Sequence, residues 1–242
     1  MATLGTLCAA DRLSPGSLWQ LETDVNGYAR SVGHGLATQA QQGRRLRILE
    51  AKGPRLRVEL LEDGYHCWMD PEDLVGQAHG CAPWQPPSID RATISERLPA
   101  VLGWSEATEA MPNVYVWGGT LRPNVDCSGL MQLAFASQGI WIPRDAYQQE
   151  RFCSAVAVSP DNVQLLLPGD LLFFGSVRRC THVGLYLGGG RYRHSSGRDH
   201  GRNGIGVDNL HSRDNHPVAC HYRAELRGAG RVMRSHDGRH LD

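Results

Sequence analysis

An α+β fold in two parts is what this 242-residue sequence predicts. Three observations carry that prediction. Residues 17 to 76 read as short alternating segments, split by turn residues. Several half-buried strands in so short a span suggest a small β-barrel. Residues 76 to 90 hold Gly80, Pro83, Pro86 and Pro87 without periodicity and read as a semi-stiff linker. After it, helix-forming stretches come first and a run of short strands follows, which is the order of helices packed on an antiparallel sheet.

Taken in order, residues 1 to about 17 predict only a mobile lead-in or a short helix. Arg44-Arg45-Leu46-Arg47-Ile48-Leu49-Glu50 and Arg55-Leu56-Arg57-Val58-Glu59-Leu60 each alternate, so each has one buried face. Asn26-Gly27, Gly53-Pro54 and Asp63-Gly64 are turn signals. Ser88 is placed to cap a helix from Ile89 to about Leu102, although Pro99 argues against one uninterrupted helix. Asp145 to Phe152 is a second short helix, entered after Pro143. Strands are expected near 170–175, 182–187, 191–195 and 220–227. The last stretch has few apolar residues and predicts disorder. The resulting divisions are a β-barrel domain with its lead-in over 1–80, a linker over 81–90, a second domain over 91–228 and a disordered tail over 229–242.

Within the second domain the informative stretch is Tyr115-Val116-Trp117-Gly118-Gly119-Thr120, then Asn124-Val125-Asp126-Cys127-Ser128-Gly129-Leu130. Leu130, Leu133, Ala134 and Gln138 continue at helical spacing, and Gly139 marks a stop. Asp126 or Asn124 can cap this helix, which places Cys127 in its first turn. The free N–H groups and macrodipole there favour a thiolate, lowering a cysteine pKa from about 8.5 to as low as roughly 3.5–7.5 when a cation is near. A nucleophile of this kind needs a base and a group to orient it. Thr181-His182-Val183-Gly184-Leu185-Tyr186-Leu187, the glycines 188–190 and Arg191-Tyr192-Arg193-His194-Ser195 read as a β-hairpin. His182 and His194 then lie near the same end of the pair, one to face Cys127 and the other to orient it.

Acidic and basic residues balance at 25 each, so no net field recruits nucleic acid or an anionic membrane. No stretch approaches the roughly twenty apolar residues of a membrane helix. The first residues lack a basic n-region and a long apolar core, so no secretory signal is read. Seven cysteines without regular spacing suit a reducing compartment, and a cytoplasmic location is expected.

The stretch Tyr115-x-x-Gly118-Gly119…Asp126-Cys127-Ser128-Gly129 resembles the nucleophile motif of the NlpC/P60 family of cysteine peptidases. Leu167-Pro168-Gly169-Asp170-Leu171-Leu172-Phe173-Phe174 resembles the strand before that family's histidine, and residues 181–188 and 192–196 resemble its histidine hairpin. Asp63-Gly64-Tyr65-His66-Cys67-Trp68-Met69-Asp70 resembles the closing strands of a bacterial SH3-like module. The resemblance implies an SH3-like barrel followed by a papain-like catalytic domain. It implies Cys127 as nucleophile, His182 as base and His194 as the group that orients it, with no cofactor and no metal. The implied substrate is a murein peptide, cut at the γ-D-glutamyl–diamino acid bond.

Other residues keep two readings. Tyr115 is either core packing or, as the resemblance implies, a partner of the Cys127 N–H in holding an oxyanion. Trp117 reads as packing, and Gly118 and Gly119 as tight loop geometry. Asp126 is an N-cap or a carboxylate that pairs with a substrate ammonium, and Ser128 is grouped with it for substrate binding. Tyr65 is barrel packing or, by the resemblance, part of a pocket for a free peptide N-terminus, here L-Ala. Three rival readings stand beside the peptidase: an amidase or acyltransferase of the same fold, a wall-binding module that has lost catalysis, and a metal site built from Cys180, His182, Cys220 and His221, which lacks recognisable ligand spacing.

Overall fold

The computed structural model describes residues 4–211 and 213–241. They form two compact units, one of residues up to 87 with 117–121 and the chain from 236, the other of 88–116 and 122–235. The part of the expected lead-in before residue 4, and Asp242 of the expected tail, lie outside the described residues.

The first unit contains strands β1 (Leu18–Leu21), β2 (Val25–Tyr28), β3 (Leu36–Ala40), β4 (Arg45–Glu50), β5 (Leu56–Leu60), β6 (Tyr65–Met69) and β7 (Ala78–Gly80). They pair in the order β3-β2-β6-β5-β4-β1-β7, every pair antiparallel. The alternation read from β4 and β5 holds within the strands: Leu46, Ile48, Val58 and Leu60 are fully buried with Trp19 and Met69, while Arg45, Arg47 and Arg57 point outward; Arg44 and Arg55, just ahead of the strands, are buried. Asn26-Gly27 is not a turn but lies inside β2. A Cβ at Gly27 would meet Cys67 Sγ at 2.7 Å and Thr38 Cγ2 at 2.9 Å, so glycine serves close strand packing there. Gly53 and Gly64, with φ of +99° and +65°, are the turn glycines. Trp117, expected to pack, is 74% exposed. Gly118 takes φ +77° where a Cβ would collide with the Leu36 carbonyl, and Thr120 Oγ1 is bonded to both the N–H and the carbonyl of Gln39.

The second unit starts with α1 (Arg91–Glu109), capped by Asp90, whose Oδ1 accepts the Thr93 N–H at 2.9 Å. The expected Ser88 cap and the break at Pro99 are both corrected: the helix is continuous for 19 residues. Pro99 is exposed, so water can satisfy the carbonyl it leaves unbonded, while Ile94, Leu98 and Val101 anchor the opposite face. Strand β8 (Thr120–Leu121) belongs to the first unit; the second continues with β9 (Asn124–Val125), α2 (Cys127–Ala136) and α3 (Ala146–Phe152). Gly139, at φ +71°, lies just past the end of α2.

The sheet of this unit has the order β10-β15-β11-β12-β13-β14 and is antiparallel throughout. Its strands are β10 (Ser154–Val156), β11 (Leu171–Ser176), β12 (Arg179–Gly188), β13 (Arg191–Ser196), β14 (Gly204–Asn209) and β15 (Leu226–Arg231), with α4 (Pro217–Ala224) between the last two. Strand β11 is apolar on both faces because both are covered. Leu171 and Phe173 join the core with α1 and α2, and Leu172 and Phe174 join a second core with Val218 and Tyr222 of α4. The strand expected over 220–227 is corrected: Pro217 starts a helix whose buried Val218, Ala219 and Tyr222 share one face, and β15 begins only at Leu226. The expected disorder from residue 229 is corrected as well. Ala229 and Gly230 pair with both β10 and β11, Arg231 pairs with β10, and Val232 is buried. A Cβ at Gly230 would lie 2.5 Å from that of Cys153, so this small-residue stretch is the interior of a sheet and not a loose tail. His240 stacks on His66 with ring centroids 3.8 Å apart. Among the described residues no helix is long and apolar enough to cross a membrane.

Candidate active site

Cys127 is the first residue of α2, and Asp126 caps the helix, its Oδ1 accepting the Gly129 N–H at 2.7 Å. Backbone N–H groups of Val183, next to His182 in β12, and of Ser128 reach the sulfur. The expected stabilised thiolate is not what this resting site holds. Burial pushes the Cys127 thiol up to about 12 and the Asp126 charge adds to the rise, outweighing the N–H groups and the Arg144 cation. A helix N-terminus lowers a thiol pKa only where the thiolate keeps some solvation.

Asp126 has a partner that the sequence reading did not find. Arg144, 1% exposed, donates from Nη2 to Asp126 Oδ2 at 2.7 Å and from Nη1 to Oδ1 at 3.1 Å. Ser128 Oγ accepts from the same Nη1 at 2.9 Å. Asp126 thus caps the helix and matches a buried guanidinium, and Ser128 belongs to that cluster.

The histidines come from neighbouring strands. His182 on β12 and His194 on β13 join through Nε2 and Nδ1 at 2.7 Å, as their hairpin placement led one to expect. The turn between them uses Gly188, Gly189 and Gly190, all at positive φ. Gly184 matters equally, since a Cβ there would meet the Tyr192 ring at 2.8 Å. Burial holds His182 well below 6.5, with repulsion from His194, His200 and His221 adding, so it is a neutral imidazole. Burial likewise lowers His194 against the pull of Asp208.

Two further residues complete the cluster. Asp208 on β14 binds His194 Nε2 through Oδ2 at 2.6 Å. Tyr222 on α4 stacks on the His182 ring at 4.1 Å and shares a hydrogen bond with Ser196 Oγ at 2.8 Å. Neither stood out in the sequence. The alternation of Ile205 and Val207 marks a strand but would turn Asp208 away from the buried face, so the sequence carried no sign of the first; the Val218/Tyr222 helical spacing was the available sign for the second. Tyr115 is half-buried, and burial raises its hydroxyl pKa, with the Cys127 and Asp126 charges adding to the rise. Tyr65 lies on β6 of the other unit. Among the described residues no three His, Cys, Asp or Glu side chains group to hold a metal.

A helix-borne cysteine packed against an antiparallel sheet that carries a histidine pair gives this α+β domain the thiol and imidazoles that nucleophilic catalysis uses. Residues 112–223 match the NlpC/P60 family and residues 28–74 match the bacterial dipeptidyl-peptidase SH3 domain. The chain therefore carries an NlpC/P60 domain, of the family of cysteine peptidases, with a bacterial SH3-like domain ahead of it. It is 36% identical over 107 residues to a probable endopeptidase p60 of Listeria seeligeri, a match covering 44% of this chain and 18% of that protein. It is 40% identical over 84 residues to a γ-D-glutamyl-L-lysine dipeptidyl-peptidase of Bacillus subtilis, covering 34% of this chain and 27% of that one. The chain thus spans well under half the length of these curated relatives. A crystal structure of an NlpC/P60 family protein from Bacillus cereus aligns with TM-score 0.47 and 24% identity, over 93% of this chain and 65% of the other.

Proposed function

We propose that the protein is a cysteine endopeptidase cutting peptidoglycan-derived stem peptides between γ-D-glutamate and the diamino acid. The observation that carries this reading is the His182–His194 pair, borne on a hairpin whose Val183 N–H reaches the sulfur of a cysteine at a helix N-terminus. The printed activity of the Bacillus subtilis relative supports the choice of bond. In the proposed reaction, Cys127 Sγ attacks the γ-glutamyl carbonyl while its proton passes to His182 Nδ1, the ring nitrogen not engaged with His194. The Cys127 N–H and the Tyr115 hydroxyl receive the oxyanion. His182 then protonates the leaving amine of the diamino acid, leaving a thioester. Water, deprotonated by His182, hydrolyses the thioester and returns the free thiol.

The substrate in this proposal carries a free N-terminal L-Ala, as released peptides do, and the protein works on recycled peptides in the cytoplasm. Its seven free thiols suit that compartment. Asp126 and Ser128, held by Arg144, offer the ammonium a fixed polar group, and Tyr65 is assigned to substrate binding. Tyr65→Phe with measured KM tests that assignment.

The deciding experiment incubates the protein with free and N-acetylated muropeptides and identifies products by mass spectrometry. Scission after γ-D-glutamate, absent in Cys127→Ala, is expected. N-acetylation should lower kcat/KM at least about tenfold, or roughly 1.4 kcal/mol. Equal cleavage of both peptides removes the free-amine requirement. Turnover by Cys127→Ala, or scission at another bond, overturns the proposed reaction.

A further inference from the structure

Asp208 is unused by the reaction just described, yet the sheet brings it to the histidines. Tyr192 and His194 on β13 lie opposite Asp208 and Gly206 on β14. Residues two apart on a strand share a face, so Asp208 lies diagonal to His194 on that face. His182, His194 and Asp208 therefore come from three successive strands and form one line of short contacts, 2.7 Å and then 2.6 Å. The far side of the carboxylate is also held. Arg202 Nη2 donates to both of its oxygens at 2.7 Å, and His216 Nδ1 is 3.6 Å from Oδ1. Gly206 makes room for this, because a Cβ there would collide with the Arg202 guanidinium.

Resting on the peptidase reading, we infer that Asp208 is a positioning residue that dictates which nitrogen of each histidine carries its proton, leaving His182 Nδ1 free to act as the base. Burial opposes ionisation of Asp208, but the hydrogen bonds from His194 and Arg202 hold its carboxyl below the usual range. An ionised carboxylate only accepts hydrogen bonds. His194 Nε2 must therefore donate to it, and the neutral ring is left with a bare Nδ1. That nitrogen in turn accepts, so His182 donates from Nε2 and its own Nδ1 has no proton. Without the carboxylate, His194 can hold its proton on Nδ1 and donate to His182 Nε2. The His182 proton then sits on Nδ1, where it cannot take one from the thiol.

The test uses the full chain with 15N-labelled histidine, reading the protonated nitrogen of each ring by two-bond 15N–1H NMR near neutral pH, beside steady-state kinetics. In the unmutated protein His182 and His194 are both expected to carry their proton on Nε2. A proton on Nδ1 of either ring overturns the inference, whether or not any variant folds. In Asp208→Ala a population with Nδ1 protonated is expected to appear. Its kcat should fall at least about tenfold while KM stays within about twofold, a loss smaller than that of removing the direct partner of a catalytic histidine. An unchanged spectrum or an unchanged kcat overturns it. If the unmutated protein cleaves no peptide, the peptidase reading fails, and the spectra still decide the protonation pattern.

Discussion

At the scale of the residue, the resting site pairs a neutral thiol with a neutral imidazole. His182 is held well below 6.5 by burial, so its basic form persists into mild acid. The expected profile of kcat/KM is flat through pH 6.5 and falls only when more acid protonates the imidazoles. A fall centred at 6.5 or above in initial rates measured across pH would contradict this. Cys127 shares its raised pKa of about 12 with the buried Cys67 and Cys180. Iodoacetamide, followed by peptide mass spectrometry, should therefore label Cys127 no faster than those two without substrate. Preferential labelling would point to a resting thiolate. Arg144→Ala would strand Asp126 as a buried carboxylate without its guanidinium, at a cost of about 3–5 kcal/mol in denaturant unfolding.

At the scale of the element, the histidine hairpin depends on a missing side chain. Gly184→Ala would press a methyl group against Tyr192 and crowd His194 Cβ at 3.4 Å. Overpacking of this kind costs typically about 1–3 kcal/mol, and activity should fall with it because His194 shifts. Helix α1 gives the opposite case. Pro99 is exposed inside a continuous helix, so Pro99→Ala should restore a backbone hydrogen bond and raise stability by about 1–3 kcal/mol. Unchanged or lower stability would mean that the helix relies on its proline. The 3.6-residue pattern of α2 was legible, as was its start at Cys127. The end of α1 and the presence of α4 were not, because a proline within one and at the head of the other reads locally as a break.

At the scale of the whole molecule, the buried histidines tie folding to pH. His182 and His194 both have folded-state pKa values below their ordinary 6.5, so between those values only the unfolded chain takes up the protons. Their contribution to stability is complete above pH 6.5 and is lost as pH falls toward the folded values. Each costs about 1.4 kcal/mol per pH unit in that window. Thermal unfolding should therefore show Tm falling below pH 6.5, and less steeply in His194→Gln.

The sequence by itself determined the two-part α+β architecture, the strand alternation of the first unit and the positions of Cys127, His182 and His194. Each of these rests on local period, on turn residues or on a motif within one stretch of chain. Tertiary structure decided the partners. Arg144 reaches Asp126 from 18 residues away, Asp208 reaches His194 across a strand pair, and Tyr222 arrives from a helix 40 residues beyond His182. It also decided the charge state of the nucleophile. The helix N-terminus that favours a thiolate is visible in the chain, but the burial that outweighs it exists only once the sheet and helices close around the sulfur.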